Sequence, residues 1–359
     1  MVIVVGGGPS GSYLSYLLAK DGFKVKLLEE HKVIGKPVQC TGVVTEAIDD
    51  VLKLDESVIV NKIKTVRVHF NGDSVDVNLG KGDYILDRCG FDRYLNEMAR
   101  SEGAEILLSH RLNSASFKDE KVNCDTNKGN IQDDVVVGAD GPYSRVGNSF
   151  NMLNGRKYKT AIQYRVSGDF DSEAYNVYLG YGEFGWLVPE NKKYARVGIV
   201  GEDNLNLEFN RLLNNLKINK KLENQTGMIP LFNFNIPLSL NNKVFLTGDA
   251  AGLVKGSTHG GIVYGLNAAK ILNKVLKDGG NYDKLIKKTI GKELNISLRI
   301  RQIMGCFKDE DYSYLMKLFK QEKVLNLMSQ YNRDFPSKFL FKLILTEPRF
   351  LKFLKQMAI

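Results

Sequence analysis

The feature that most constrains this chain stands at its very start: a β-branched run, Val2 to Val5, leads without a spacer into GGGPSG and then into an apolar stretch from Tyr13 to Ala19. Strand, tight turn and helix in that order open a dinucleotide-binding fold. Gly6, Gly8 and Gly11 fall on the GxGxxG positions, with Pro9 and Ser10 between the last two. Gly6 permits the tight turn, Gly8 admits close backbone approach to a diphosphate, and Gly11 lets the helix pack near the strand. The exposed amides and positive end of the helix then receive the diphosphate. A second strand, Lys24 to Leu28, ends at Glu29 and Glu30, where a carboxylate accepts hydrogen bonds from an adenosine ribose. Glu29 is the first choice and Glu30 the alternative register. This segment alone leaves open which dinucleotide is bound.

The 359 residues suffice for one large or two unequal domains, and 43% hydrophobic with 25% charged residues excludes a disordered chain. A net charge of +9 favours anionic surroundings. Nucleic acid is set aside, because no finger, recognition helix or aromatic-basic ladder accompanies the charge. Cys40, Cys89, Cys124 and Cys306 lack CxxC spacing, so neither a metal site nor a disulfide framework is expected. No basic region precedes MVIVV, which reads as a first strand rather than a signal peptide. No apolar stretch reaches the roughly 18 residues of a membrane span.

Two later segments repeat the strand-then-turn pattern. Asp134 to Gly138, DVVVG, leads into ADGPYSRVG with Asp140 and Gly141, and Lys243 to Thr247 leads into GDAAG with Gly248, Asp249 and Ala250. A turn at Asp140 and a helix cap at Asp249 would also account for these residues. Both segments resemble the aspartate-glycine and glycine-aspartate motifs of the flavin-dependent hydroxylase superfamily. That resemblance implies FAD, with Asp249 near its ribitol portion. It also implies a helix starting near His259 to Gly261, whose amides at Gly260, Gly261 and Ile262 turn toward the flavin pyrimidine oxygens.

Three further segments are KPVQCTG at Lys36 to Gly42, YILDRCGFDRYL at Tyr84 to Leu95, and YGEFGWLVP at Tyr181 to Pro189. With the flavin motifs they resemble the geranylgeranyl reductase family, in particular archaeal enzymes that saturate isoprenoid chains of ether lipids, over roughly residues 1–300. The resemblance implies reduction of carbon-carbon double bonds by FADH2. It places Cys40 near the reacting face of the flavin, with Gln39 contributing through its backbone, and gives Arg88 a cofactor contact. A buried inert thiol at Cys40 and a buried pair of Arg88 with Asp92 are the structural alternatives. The family's PxxYxWxFP motif is kept at Trp186 and Pro189, whereas Tyr181 replaces the first proline, Phe184 the tyrosine and Val188 the phenylalanine. These residues form either an apolar substrate wall or an ordinary sheet core. His259 serves the substrate side or caps a helix. The competing activity is hydroxylation or monooxygenation by an enzyme of the same superfamily.

The expected architecture is α/β plus antiparallel β-sheet: a GR2-like FAD-binding fold with an inserted substrate domain and a helical C-terminal region. Residues 1–80, 84–160 and 240–280 are assigned to a discontinuous FAD domain, about 60–82 and 160–239 to the antiparallel substrate sheet, and 281–359 to the helical region. A helix from Gly261 to Leu276 should stop at the Gly279–Gly280 pair. The tail FPSKFLFKLILTEPRFLKFLKQM combines large apolar residues with Lys338, Lys342, Arg349, Lys352 and Lys355, which suits either a phospholipid surface or a packed helical cap. Pro348 should divide it. The expected partners are an unsaturated isoprenoid phospholipid, a membrane surface and a low-potential electron-transfer protein. NADPH, NADH and reduced ferredoxin all remain open as reductant, and a cytoplasmic or peripheral cytoplasmic-face location is expected.

Overall fold

Val2 to Val5 are buried along their whole length, as a parallel strand covered on both faces requires. They form one strand of a six-stranded sheet in the order Ser239–Leu240, Val244–Leu246, Val135–Gly138, Val2–Val5, Val25–Glu29 and Glu105–Leu108. All neighbours are parallel except the first pair. The computed structural model describes residues 1–354; Lys355 and Met357 of the basic tail lie outside the described residues.

The register matters most for function. Val5 stands opposite both Leu28 and Gly138, and Gly138 stands opposite Leu246. The glycine loop, the ADG turn and the GD turn therefore leave the carboxyl ends of adjacent strands at one level, where open α/β sheets bind ligands. This sheet belongs to the first of two compact units, formed by Met1–Val38, Arg88–Tyr158 and Ile229–Asn295. The same unit holds helices Pro9–Lys20, Arg88–Ser101 and Ile262–Asp278, the last ending at Gly279 with φ 81°. It also carries a three-stranded antiparallel sheet of Leu112–Lys118, Lys121–Thr126 and Gly129–Asp133, for which the sequence reading made no assignment.

The second unit comprises Gln39–Asp87, Lys159–Met228 and the chain from Ile296 onward. Residues 39–87 and 296–354 thus cluster with the large sheet, whereas the approximate sequence boundaries gave most of the former to the nucleotide domain and set the latter apart. The main path of its nine-stranded sheet runs Lys221–Asn224, Tyr158–Ser167, Tyr194–Gly201, Phe184–Pro189, Ala174–Tyr178, Ile59–Phe70, Asp73–Leu86 and Val43–Thr45. The sheet is mixed rather than wholly antiparallel: Ala174–Tyr178 pairs in parallel with Ile59–Phe70. Those two strands are joined by a long excursion of chain, so no hairpin forces an antiparallel pairing.

Helix Leu205–Asn215 lays Leu205, Phe209 and Leu212 on Val197 and Ile199 of the sheet. The C-terminal helices bury Leu315, Leu318, Val324 and Leu343 among themselves. They are also tied to the sheet by polar bonds that end on the buried side chains of Asp83, Tyr175 and Thr45. Arg333 reaches Asp83 Oδ2 at 2.6 Å, the Tyr175 hydroxyl donates to the same oxygen at 2.9 Å, and the Thr45 hydroxyl donates to Asp334 Oδ2 at 2.7 Å. Pro348 opens a short turn between helices Pro336–Thr346 and Leu351–Leu354. The fold is mixed α/β with a helical C-terminal region, and among the described residues no helix is long and apolar enough to cross a membrane.

Candidate functional site

In the first unit the separate glycine motifs meet. A Cβ at Gly6, whose φ is +103°, would lie 2.3 Å from the carbonyl oxygen of Ala139, and one at Gly11 would lie 2.0 Å from the Gly6 oxygen. A Cβ at Gly8 would meet nothing within 4 Å. Two of the glycines therefore allow the turn and helix to close, and the third leaves space. Ser10 fills the remaining gap between motifs, its hydroxyl lying where side chains of Gly248 and Gly265 would stand. Ala250 is buried beneath this turn.

Glu29 and Glu30 part company. The Gly7 amide donates to Glu29 Oε2 at 2.7 Å and the His31 amide to Oε1 at 2.8 Å, so the buried Glu29 carboxylate braces the glycine loop while Glu30 is exposed. Asp140 is engaged by its own turn. It accepts from the Ser144 hydroxyl at 2.5 Å and from the Arg145 and Val146 amides at 2.7 and 3.2 Å, capping helix Arg145–Ser149 after Gly141 at φ +76°. Burial pushes its carboxyl above the ordinary range, against those bonds.

Asp249 is exposed to solvent and yet surrounded by protein, which makes it a cleft-lining group rather than a core one. Burial raises its carboxyl, while the guanidiniums of Arg88 and Arg156 pull the other way. Arg88 donates through Nη2 to both Asp92 oxygens at 2.8 and 3.0 Å. The paired alternative and the cleft position thus hold together for Arg88. Helices Pro9–Lys20 and Ile262–Asp278 start at Gly8 and Gly261 with no side-chain cap, and Asp249 Oδ1 lies 3.0 Å from where a Gly261 Cβ would stand. Gly260 sits against the Lys255 side chain, and His259 adopts φ 54° with its amide bonded to the Lys255 carbonyl. A cleft with two uncapped helix starts, two guanidiniums and an open glycine suits a dinucleotide diphosphate.

The second unit joins two other sequence segments. The Thr41 hydroxyl and the Trp186 indole N–H both donate to Gln163 Oε1, at 2.6 and 2.8 Å, and Gln163 Nε2 donates to Gln225 Oε1 at 2.7 Å. The neighbouring Cys40 is half-buried, its Sγ accepting the Gly42 amide at 3.3 Å, and the exposed Gln39 packs on Gly227. Arg196, 4% exposed, donates to the carbonyls of Thr41 and Leu86 at 2.5 and 2.9 Å and to Glu190 at 2.8 Å. Arg165 holds the other Glu190 oxygen. Burial would raise the Glu190 carboxyl, but the two guanidiniums outweigh it and hold it below the usual range.

A family model described as an NAD(P)-binding Rossmann-like domain matches residues 4–43. Over 365 aligned residues, the chain is 30% identical to a digeranylgeranylglycerophospholipid reductase of Methanosarcina acetivorans, covering 90% of this chain and 89% of the relative. The chain belongs to the digeranylgeranylglycerophospholipid reductase family. A second reductase of that name, from Methanococcoides burtonii, is 29% identical over 88% of this chain and 86% of its own length. The fold of this reductase-family chain also matches a crystal structure from Thermoplasma acidophilum described as geranylgeranyl bacteriochlorophyll reductase-like, with TM-score 0.84, 24% identity, and coverage of 99% and 98% of the two chains. A halogenase crystallised with FAD shares the fold more distantly, with TM-score 0.67 and 13% identity over 91% of this chain and 78% of the other.

Within the reductase-family motif YGEFGWLVP, strand alternation divides the residues. Phe184, Trp186 and Val188 share a face, with the indole lying over Gly198 and 5.8 Å from the Phe184 ring. Tyr181 instead packs with the cluster under helix Leu205–Asn215, its ring 4.5 Å below the Arg211 guanidinium. Pro189 is on the Leu187 side of the strand, and its carbonyl accepts from Asn61 at 3.2 Å. His259 belongs to the first unit and the Trp186 face to the second.

Sequence reasoning missed Gln163, Arg196, Glu190, Gln225 and Arg156 as site residues. Arg196 had a signal, being a charge inside the otherwise apolar YARVGIVG strand. Arg156, in NGRKYK, stands in a polar stretch with no motif to mark it.

Proposed function

We propose that this protein is an FAD-dependent reductase of carbon-carbon double bonds in geranylgeranyl or related isoprenoid ether lipids. The observation that carries the reading is the bonding of Thr41 and Trp186 to one Gln163 oxygen, which brings the Cys40 loop together with the aromatic strand in a chain of this family. Gly8, Glu29, Asp249, Arg88 and the amides of Gly260, Gly261 and Ile262 would hold FAD in the first unit. When bound in its reduced form, FAD supplies a hydride equivalent to one alkene carbon while a proton reaches the other.

In the second unit the half-buried Phe184, backed by the buried Trp186 and Val188, offers the apolar surface for an isoprenoid chain, and Cys40 Sγ is the proton-bearing atom assigned to the alkene. Gln163 and Arg196 are positioning residues: they fix the loop that carries Cys40. The replacements at Phe184 and Val188 set this face apart from the PxxYxWxFP form, whereas Tyr181 lies with the cluster under helix Leu205–Asn215.

The tail supports a lipid-surface reading. Phe341 and Leu345 are 69% and 64% exposed one helical turn apart, with Leu351 and Leu354 exposed beyond Pro348 and Lys338, Lys342 and Lys352 interspersed. Apolar groups flanked by lysines suit an anionic phospholipid face, which would make the protein peripheral to the membrane.

The test is anaerobic single turnover of an unsaturated isoprenoid lipid by dithionite-reduced, FAD-loaded protein, read by mass spectrometry. Saturated product, lost in Cys40→Ala, supports the reading. Product formed only with oxygen and carrying a new hydroxyl rejects it in favour of monooxygenation.

A further inference from the structure

Arg156 is 9% exposed, and its Nε, Nη1 and Nη2 all lack a hydrogen-bond partner. A guanidinium removed from water with all its donors unused is costly, and a native fold keeps one only where something else completes it. Its surroundings are specific. Nη1 fills the space beside Gly252, whose φ of +68° and absent side chain leave room for it, directly after the GDAA turn. The charge facing it is Asp249, which is solvent-accessible and also faces Arg88. Tyr158 is the other polar neighbour, its ring packed 5.1 Å from that of Tyr143. Burial lowers the Arg156 pKa, with Asp249 and Tyr158 opposing it, and arginine nevertheless stays protonated at neutral pH.

We infer that Arg156 is an anion-binding residue of the nucleotide cleft, its guanidinium taking an anionic oxygen of the bound flavin dinucleotide. The inference rests on the FAD reading of the cleft and adds to it a group that neither the glycine motifs nor the family motifs contain. The cleft otherwise presents helix ends and Arg88, which is already shared with Asp92. Arg156 brings to this set three nitrogens without a partner, and planar paired donors fit a phosphate or an imide-like oxygen equally well.

A residue kept for a ligand should weaken the empty protein, so removing it should stabilise the apoprotein and weaken binding together.

The experiment uses full-length wild type, Arg156→Lys, Arg156→Gln and Arg156→Met, stripped of cofactor and titrated with FAD and separately with ADP. Thermal midpoints are recorded with and without ligand, and the midpoint potential of the reloaded FAD is measured. The expected result is a higher cofactor-free midpoint for Arg156→Met, FAD binding weaker by tenfold or more, and partial recovery in Arg156→Lys. Parallel loss of ADP binding with an unchanged potential assigns the contact to the diphosphate. Unchanged ADP binding with a more negative potential assigns it to the flavin ring. A lower cofactor-free midpoint with FAD affinity and potential both at wild-type values overturns the inference and makes Arg156 structural. Wild type that binds no FAD would overturn the FAD reading itself, which the variants alone cannot do.

Discussion

Arg196 donates to the carbonyl oxygen of Thr41 at 2.5 Å across a separation of 155 residues, fixing the loop of Cys40 to a central strand of the second sheet. The same guanidinium holds Leu86 and Glu190, so one buried side chain sets the loop, the end of a second strand and a carboxylate.

Arg196→Met should therefore cost about 3–5 kcal/mol, the range for breaking a buried charge pair from one side. Denaturant unfolding measures it. The combination with Glu190→Gln should cost less than the sum of the two single changes, because the two residues share one network.

Glu190 makes the network sensitive to acid. Its folded pKa lies below the unfolded value, so its contribution is present above the ordinary glutamate pKa and is lost as pH falls through the depressed one. Stability of wild type should fall across that acid window, and Glu190→Gln should flatten the fall. An equal slope in both proteins would remove Glu190 as the cause.

Gln163→Leu should leave the Trp186 N–H and the Thr41 hydroxyl without their acceptor, at a cost of about 1–3 kcal/mol. Trp186 is the chain's one tryptophan, so its fluorescence reports on this site alone. The emission maximum should shift in Gln163→Leu and should respond to lipid in wild type.

The glycines separate closure from binding. Gly11→Ala should strongly destabilise the protein, because its methyl would overlap the Gly6 carbonyl. Gly8→Ala should fold with a near-normal thermal midpoint and bind FAD several-fold more weakly, its methyl entering open space. Calorimetry and FAD titration of the pair check both statements.

The tail is tested by sedimentation with vesicles containing anionic phospholipid. The double substitution Phe341→Ser and Leu345→Ser should abolish co-sedimentation without changing flavin content, since both side chains are exposed. Retained binding would place the lipid contact elsewhere.

The amino-acid sequence by itself determined the strand-glycine-helix opening, the order of the ADG and GD turns, the stop at Gly279 and the break at Pro348. These follow from short-range causes: β-branched runs, positive φ at glycine, and proline's missing amide. It also carried the family, because the motifs are contiguous in the chain. Tertiary structure decided what stands opposite what. The parallel pairing of Ala174–Tyr178 with Ile59–Phe70, the separation of Tyr181 from Trp186, and the choice of Glu29 over Glu30 for the buried position depend on register and strand alternation. The joining of Thr41 to Gln163 and Arg196, and the burial of Arg156, rest on contacts between residues far apart in sequence, for which no local pattern exists.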